Sequence, residues 1–146
     1  MNDNAKQSDQ PLTRDCHCFN LRRATLAVIA LYDRHMEGSG VTIQQFSILR
    51  HVSGNGALSV TELSELMGLD RTTLSRNLTL LERRGLLTTR PSSGRRRLTT
   101  LTDKGVEALE RAFVRWRSAQ EEMEKRLGKE RMERLEDLLN ALLTEL

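Results

Sequence analysis

Between residues 59 and 102 the chain reads SVTELSELMGLDRTTLSRNLTLLERRGLLTTRPSSGRRRLTTLT, and this stretch leaves the fold little freedom. Ser59 and Glu62 have the spacing of a capping box, in which the two residues satisfy each other's backbone donors and start a short helix. Leu63, Leu66 and Met67 are expected on its inner side. Gly68 then turns the chain, and Asp70 caps a second helix over residues 71–84. At about 100° per residue, Leu74, Leu78 and Leu81 share one face of this helix, whereas Thr72, Arg76, Thr79 and Arg83 share the opposite one. Gly85 stops it. Segments 86–90 and 96–101 are rich in Leu and Thr and flank Pro91-Ser92-Ser93-Gly94, which is a hairpin signal.

The flanks read as helices. Residues 1–14 are polar, with Pro11 near their end, and are expected to form a flexible tail. From about residue 15 to 36 the apolar residues (Phe19, Leu21, Ala24, Leu26, Val28, Ile29, Leu31, Tyr32) cover most of a helix surface rather than one stripe. Such a helix must be buried on several sides, and a second subunit is the expected cover. Gly38-Ser39-Gly40 stops it. Thr42 with Gln45 opens the next helix, which runs through about Val52 with Ile43, Phe46, Ile48, Leu49 and Val52 inward, until Gly54-Asn55-Gly56 breaks it. Thr102 caps a long helix to about Leu127, with Leu109, Ala112, Phe113, Trp116, Ala119 and Met123 on one side. After Gly128 a last helix carries Met132, Leu135, Leu138, Leu139, Leu142, Leu143 and Leu146 at spacings of three and four. With only 3% aromatic residues the core must be mostly Leu, Ala, Val and Ile, which suits helices. The expected fold is mainly α with a small β-hairpin wing. Residues 15–146 form a single domain: a winged helix-turn-helix over about 42–102, with N- and C-terminal dimerisation helices over about 15–36 and 103–146.

Charge points to the partner. Residues 59–100 hold eight arginines against four acids, more net positive charge than the +3 of the whole chain. A basic concentration of this kind is where a polyanion is met. The start of the second helix, with Arg71, Thr72, Thr73 and Ser75, offers backbone donors and a favourable dipole to phosphate, and Ser59 does the same one helix earlier. The outward Thr72, Arg76, Thr79 and Arg83 suit a major groove, where Arg reads guanine and Thr meets a phosphate or a thymine methyl. Arg95, Arg96 and Arg97 sit on a narrow ribbon able to reach an adjacent minor groove. Such a face can also be merely solvated, residue by residue; the two caps, Gly68, the leucine face and the three wing arginines together favour double-stranded DNA as the partner.

LSVTELSELMGLDRTTLSRNLTLLERRGLLTTR, followed by RRRLTTLTDKG, resembles the MarR family of bacterial transcription regulators, over roughly residue 19 to the C-terminus. The resemblance implies a homodimer that binds a pseudo-palindromic operator and usually represses. It also implies a small phenolic or other anionic effector held between the dimer helices and the DNA-binding lobe. His35, His51, Arg22 and Arg50 can line such a pocket, although they also suit ordinary surface or interface positions. In one respect the chain departs from the family pattern. Where the family's wing has an Asp two positions before its key Arg, this chain has Ser93 and Arg95, so the acidic brace is expected to be missing and Arg96 or Arg97 to share the role.

Cys18-Phe19-Asn20-Leu21 followed by Tyr32 is similar to the organic-hydroperoxide-sensing branch. That likeness implies Cys18 as the peroxidatic residue and Tyr32 as the tyrosine that hydrogen-bonds its thiolate; the nearby Cys16, of either subunit, is a candidate for resolving the oxidised form. Two further tyrosines of that pattern are replaced by Arg22 and Ile43. Arg22, one turn from Cys18, can itself lower the thiol pKa. The alternative is that both cysteines simply pack in the dimer interface. Metal binding by Cys16-His17-Cys18 is disfavoured if the segment is helical, because the two thiols then point about 200° apart. Neither a metal nor a cofactor is expected.

No Gly-rich phosphate loop, paired-carboxylate site or nucleophile motif points to an enzyme. With no apolar run near ~18 residues and no secretory signal, no membrane association and a cytoplasmic location are expected. The expected function is sequence-specific, DNA-binding transcriptional regulation, as a repressor released by a small ligand or by cysteine oxidation. The alternative is a winged-helix protein-interaction module that does not bind DNA.

Overall fold

The computed structural model describes residues 16–146, so the tail expected over residues 1–14 lies outside the described residues. In chain order the elements are α1 (His17–Met36), α2 (Ile43–Asn55), α3 (Val60–Met67), α4 (Arg71–Arg83), β1 (Leu87–Pro91), β2 (Arg97–Leu101), α5 (Asp103–Leu127) and α6 (Lys129–Glu145). β1 and β2 form an antiparallel pair in which Leu87 faces Leu101 and Pro91 faces Arg97. The expected mainly helical fold with a hairpin wing is the one observed.

Local chemistry sets most of the boundaries. At the start of α2, Gln45 N donates to Thr42 Oγ1 at 3.2 Å and Thr42 N donates to Gln45 Oε1 at 3.3 Å. Asp33 of α1 adds a second acceptor, taking the Ile43 N–H at 2.7 Å. α2 continues past the expected end near Val52, because a glycine weakens a helix by only about 1 kcal/mol unless the chain must turn there. The turn comes at Gly56, with φ +79°, and Asn55 Nδ2 closes the helix on the His51 carbonyl at 2.8 Å.

Phe46, Ile48, Leu49 and Val52 of α2 form the centre of the core together with Leu63, Leu74, Leu78, Leu81, Leu86, Leu87, Ala108 and Ala112. Each such large side chain contributes about 1.5–3 kcal/mol by leaving water. Phe113 and Trp116 pack beside Phe46, with the three ring centroids 5.2–6.5 Å apart. Leu66 is a correction: placed inward by the sequence pattern, it is 53% exposed. On a helix of two turns, Leu63 and Met67 occupy the narrow face that packs, and Leu66 lies about 60° to its other side.

The terminal helices contribute little to this core, α1 entering it through Met36. Only Leu31, Tyr32 and Met36 of α1 are buried, and α6 buries no residue. Phe19, Leu21, Leu26 and Ile29 on α1, and Leu138, Leu139, Leu142, Leu143 and Leu146 along α6 to the C-terminus, remain exposed in the single chain. The cover required by the apolar first helix is not supplied by the other described residues of its own chain.

Candidate nucleic-acid interface

The interface is assembled by caps and leucines. Glu62 N donates to Ser59 Oγ at 3.3 Å, and Ser59 N donates back to Glu62 Oε2 at 2.7 Å, fixing the start of α3. Gly68, at φ +60°, makes the left-handed turn that ends α3, and Ser64 Oγ holds the Leu69 carbonyl at 2.6 Å. Asp70 then caps α4, accepting from Thr73 N at 2.9 Å and from Thr73 Oγ1 at 2.6 Å. With Leu74, Leu78 and Leu81 anchored in the core, the opposite side of α4 is forced outward.

That outward side is a shallow open concavity lined by Arg71, Thr72, Ser75, Arg76, Thr79, Leu80 and Arg83. Among the described residues no carboxylate lies within ion-pairing distance of Arg71, Arg76 or Arg83. Arg71 donates to Thr61 Oγ1 at 3.1 Å, which draws it toward α3. The surface is therefore positive, rich in hydroxyls and about one helix wide, the dimensions of a major-groove reader. Leu80 was missed by the sequence analysis, although it follows Arg76 by one turn; at 47% exposed it adds an apolar contact suited to a thymine methyl.

Several predicted residues have other tasks. The hydroxyl of Thr73 is held by Asp70, and Ser59 Oγ donates to Glu62 Oε2 at 2.7 Å. Thr79 Oγ1 donates to the Ser75 carbonyl at 2.9 Å. Both capping carboxylates are held below their usual range. Glu62 is lowered to about 2 by hydrogen bonds from Ser59 and Arg96, and Asp70 is lowered by its bonds from Thr73.

The wing is anchored at both ends. Leu58, between α2 and α3, exchanges two backbone hydrogen bonds with Thr99 of β2, at 2.8 and 3.1 Å, a third short rung that the sequence did not reveal. Thr99 is fully buried and shares a hydroxyl hydrogen bond with Thr89 at 3.0 Å. At the foot of β2, Thr102 N donates to the Leu86 carbonyl at 3.2 Å and Thr102 Oγ1 donates to the Gly85 carbonyl at 2.6 Å. Gly105 packs directly on this junction, where a Cβ would lie 2.0 Å from Leu86 O. The tip turns through Gly94, at φ +65°, with Ser92 N donating to the Arg96 carbonyl at 2.7 Å. Arg95, Arg96 and Arg97 are all exposed. Among the described residues Arg95 has no carboxylate partner, whereas the neighbouring Arg96 has one: its Nη2 donates to Glu62 Oε1 of α3 at 2.6 Å.

The residues named for sensing are not brought together within one chain. Cys16 caps α1 in extended conformation and Cys18 lies on its first turn, both exposed. Cys16 is thus not helical, and the premise of opposed thiols does not apply. The described residues place no three His, Cys, Asp or Glu side chains around a common point. Tyr32 lies about 21 Å further along the helix at ~1.5 Å per residue. Its hydroxyl donates to Gln120, and burial raises its pKa, helped by the charge of Glu124. His35 pairs with Glu122, which also holds Arg126, joining α1 to α5. The Arg50 guanidinium lies 4.8 Å from the Trp116 ring centroid, and His51 Nδ1 meets the Ser47 carbonyl at 2.8 Å. Arg22 is exposed.

Known proteins give the same outline. A sequence model described as the MarR family matches residues 39–98. The HTH-type transcriptional regulator FarR of Neisseria gonorrhoeae is 31% identical over 126 residues, covering 85% of this chain and 86% of that protein. A Thauera aromatica protein named for control of the hcr operon is 32% identical over 96 residues. That match takes in 64% of this chain and 58% of the relative, so the chain spans little more than half of that protein. The crystal structure of the transcriptional regulator MosR from M. tuberculosis in complex with DNA aligns with a TM-score of 0.76 at 34% identity, covering 90% of this chain and 98% of that one.

Proposed function

The chain belongs to the MarR family, and from that membership we propose that it is a sequence-specific DNA-binding transcriptional regulator, a repressor acting as a homodimer on a pseudo-palindromic operator. One observation carries the reading: α4 is held by its caps and three buried leucines so that Arg76, Thr79, Leu80 and Arg83 face outward, beside a basic wing. One chain supplies one reading helix and one wing, enough for a half-site. The exposed apolar faces of α1 and α6 support pairing with a second copy, which doubles the reading unit and covers those faces. In this reading α4 enters the major groove with Thr72, Ser75, Arg76, Thr79 and Arg83, Arg71 stays near phosphate, and the wing arginines follow the adjacent backbone. The chain acts without catalysis and in the cytoplasm; no helix among the described residues is long and apolar enough to cross a membrane.

Release from the operator belongs to the first helix. Two signals fit it: a small phenolic or anionic ligand between the dimer helices and the reading unit, or oxidation of Cys18 with Cys16 of either subunit as the resolving thiol. The exposure of both cysteines supports the second, since an accessible thiol is needed for reaction. Selection of bound DNA from a random pool, run with reduced and with peroxide-treated protein, tests partner and signal together. Enrichment of one inverted repeat by the reduced protein supports the proposal. A pool that stays random overturns it in favour of a winged-helix protein-interaction module.

A further inference from the structure

Three consecutive arginines tip the wing, yet they are not equivalent. Arg96 Nη2 donates to Glu62 Oε1 at 2.6 Å, across 34 positions of sequence, whereas among the described residues Arg95 and Arg97 have no carboxylate partner. Glu62 is itself immobilised. Its other oxygen, Oε2, accepts from both the backbone and the hydroxyl of Ser59, each at 2.7 Å. Exposed ion pairs are usually weak because two flexible side chains must be ordered together. Here the capping box has already ordered the acid, so only the arginine loses freedom when the pair forms. The pair lies beyond the Leu58–Thr99 rung, which fixes the middle of β2 to the start of α3. The rung alone leaves the tip free to pivot; the ion pair is a second point of attachment further out.

We infer that Glu62 is a positioning residue of the interface: it ties the wing to α3 through Arg96, so that Arg96 acts as a strut and the wing presents Arg95 and Arg97 to the DNA backbone. The inference rests on the operator-binding reading above and refines which of its arginines touch DNA. A wing with two points of attachment keeps a fixed angle to α4, so phosphate contacts set the register of the reading helix. The carboxylate stays ionised throughout the physiological range, so the strut does not open with cellular pH.

Glu62→Gln keeps a capping-box residue but removes the charge, and Glu62→Gln/Arg96→Ala removes the pair without leaving either charge alone. Operator affinity is measured against salt for the wild type, the double variant and Arg95→Ala. The double variant keeps the wild-type slope of log K against log salt, while Arg95→Ala is shallower by about 1.8, the loss of one phosphate contact in each half-site of the dimer's operator. A double variant shallower by about 1.8 puts Arg96 on a phosphate in each half-site and overturns the inference. A second measurement needs no DNA. Limited trypsin digestion of the folded protein, with equal melting temperature as the control, cuts the wing several-fold faster in Glu62→Gln than in the wild type. Equal cutting overturns the strut. A wild type that binds no DNA refutes the operator reading, whereas the digestion still decides whether Glu62 holds the wing.

Discussion

Replacing Gly105 by alanine separates this fold's demands from ordinary helix propensity. In an unstrained helix Gly→Ala stabilises, by about 0.4–1 kcal/mol. Gly105 lies in the first turn of α5, where an added Cβ would sit 2.0 Å from Leu86 O, 2.8 Å from Leu101 Cδ2 and 3.0 Å from Leu86 C. The carbonyl cannot easily give way, because Leu86 is buried and its oxygen accepts from Thr102 N at 3.2 Å. α5 must therefore back away from the end of α4. Overpacking of this kind costs about 1–3 kcal/mol, and losing the Thr102 hydrogen bond adds about 1 kcal/mol. The alanine recovers about 1 kcal/mol of helix propensity. The net cost is about 1–3 kcal/mol, which lowers Tm by about 3–9 °C for a chain of this size. Gly54 supplies the control, since it is helical and a Cβ there meets nothing within 4 Å. Thermal unfolding followed by circular dichroism should show Gly105→Ala melting lower and Gly54→Ala melting at or above the wild type. An unchanged or raised Tm for Gly105→Ala refutes the reasoning.

Three further outcomes follow from the interface. Arg76→Ala should reduce discrimination between operator and mismatched sites, by about 1–3 kcal/mol at the position it reads, whereas Arg95→Ala should weaken binding to all sequences alike; competition binding against single-base operator variants checks both, and equal loss on every sequence for Arg76→Ala contradicts its reading role. Glu62 and Asp70 both have lowered folded pKa values, so their contribution to stability is complete above their unfolded values of about 4.5 and 3.8 and is lost as pH falls, toward about 2 for Glu62; acid unfolding of Asp70→Asn should therefore be less steep below pH ~4 than that of the wild type, and identical profiles count against the cap. Cys18→Ser should stay on operator DNA after peroxide treatment, as read by gel shift, and full release of that variant eliminates Cys18 as the sensor.

What the sequence disclosed and what it hid divide by range. The capping pairs Thr42–Gln45 and Ser59–Glu62, the Asp70 and Thr102 caps and the Leu74–Leu78–Leu81 face act over three or four residues, and each is observed. Leu66 was misplaced because periodicity gives an inner face but not its width. The Leu58–Thr99 rung and the Glu62–Arg96 pair join residues 41 and 34 positions apart, with no local pattern to announce them. Glu62 was legible as a cap, while its second partner became visible only once the ribbon folded back beside α3. For the same reason, the wing's own sequence gives no sign that α3 supplies an acid to Arg96.

In the reading above, the α4 face and its wing bind a specific DNA sequence. Fluorescence anisotropy of a labelled operator and of a scrambled duplex, each titrated over a salt series, tests it most directly. Affinity should fall steeply with salt on both duplexes, with a preference of at least about 10³-fold for the operator at physiological salt. Absent or salt-insensitive binding, or equal affinity for the two duplexes, would contradict it.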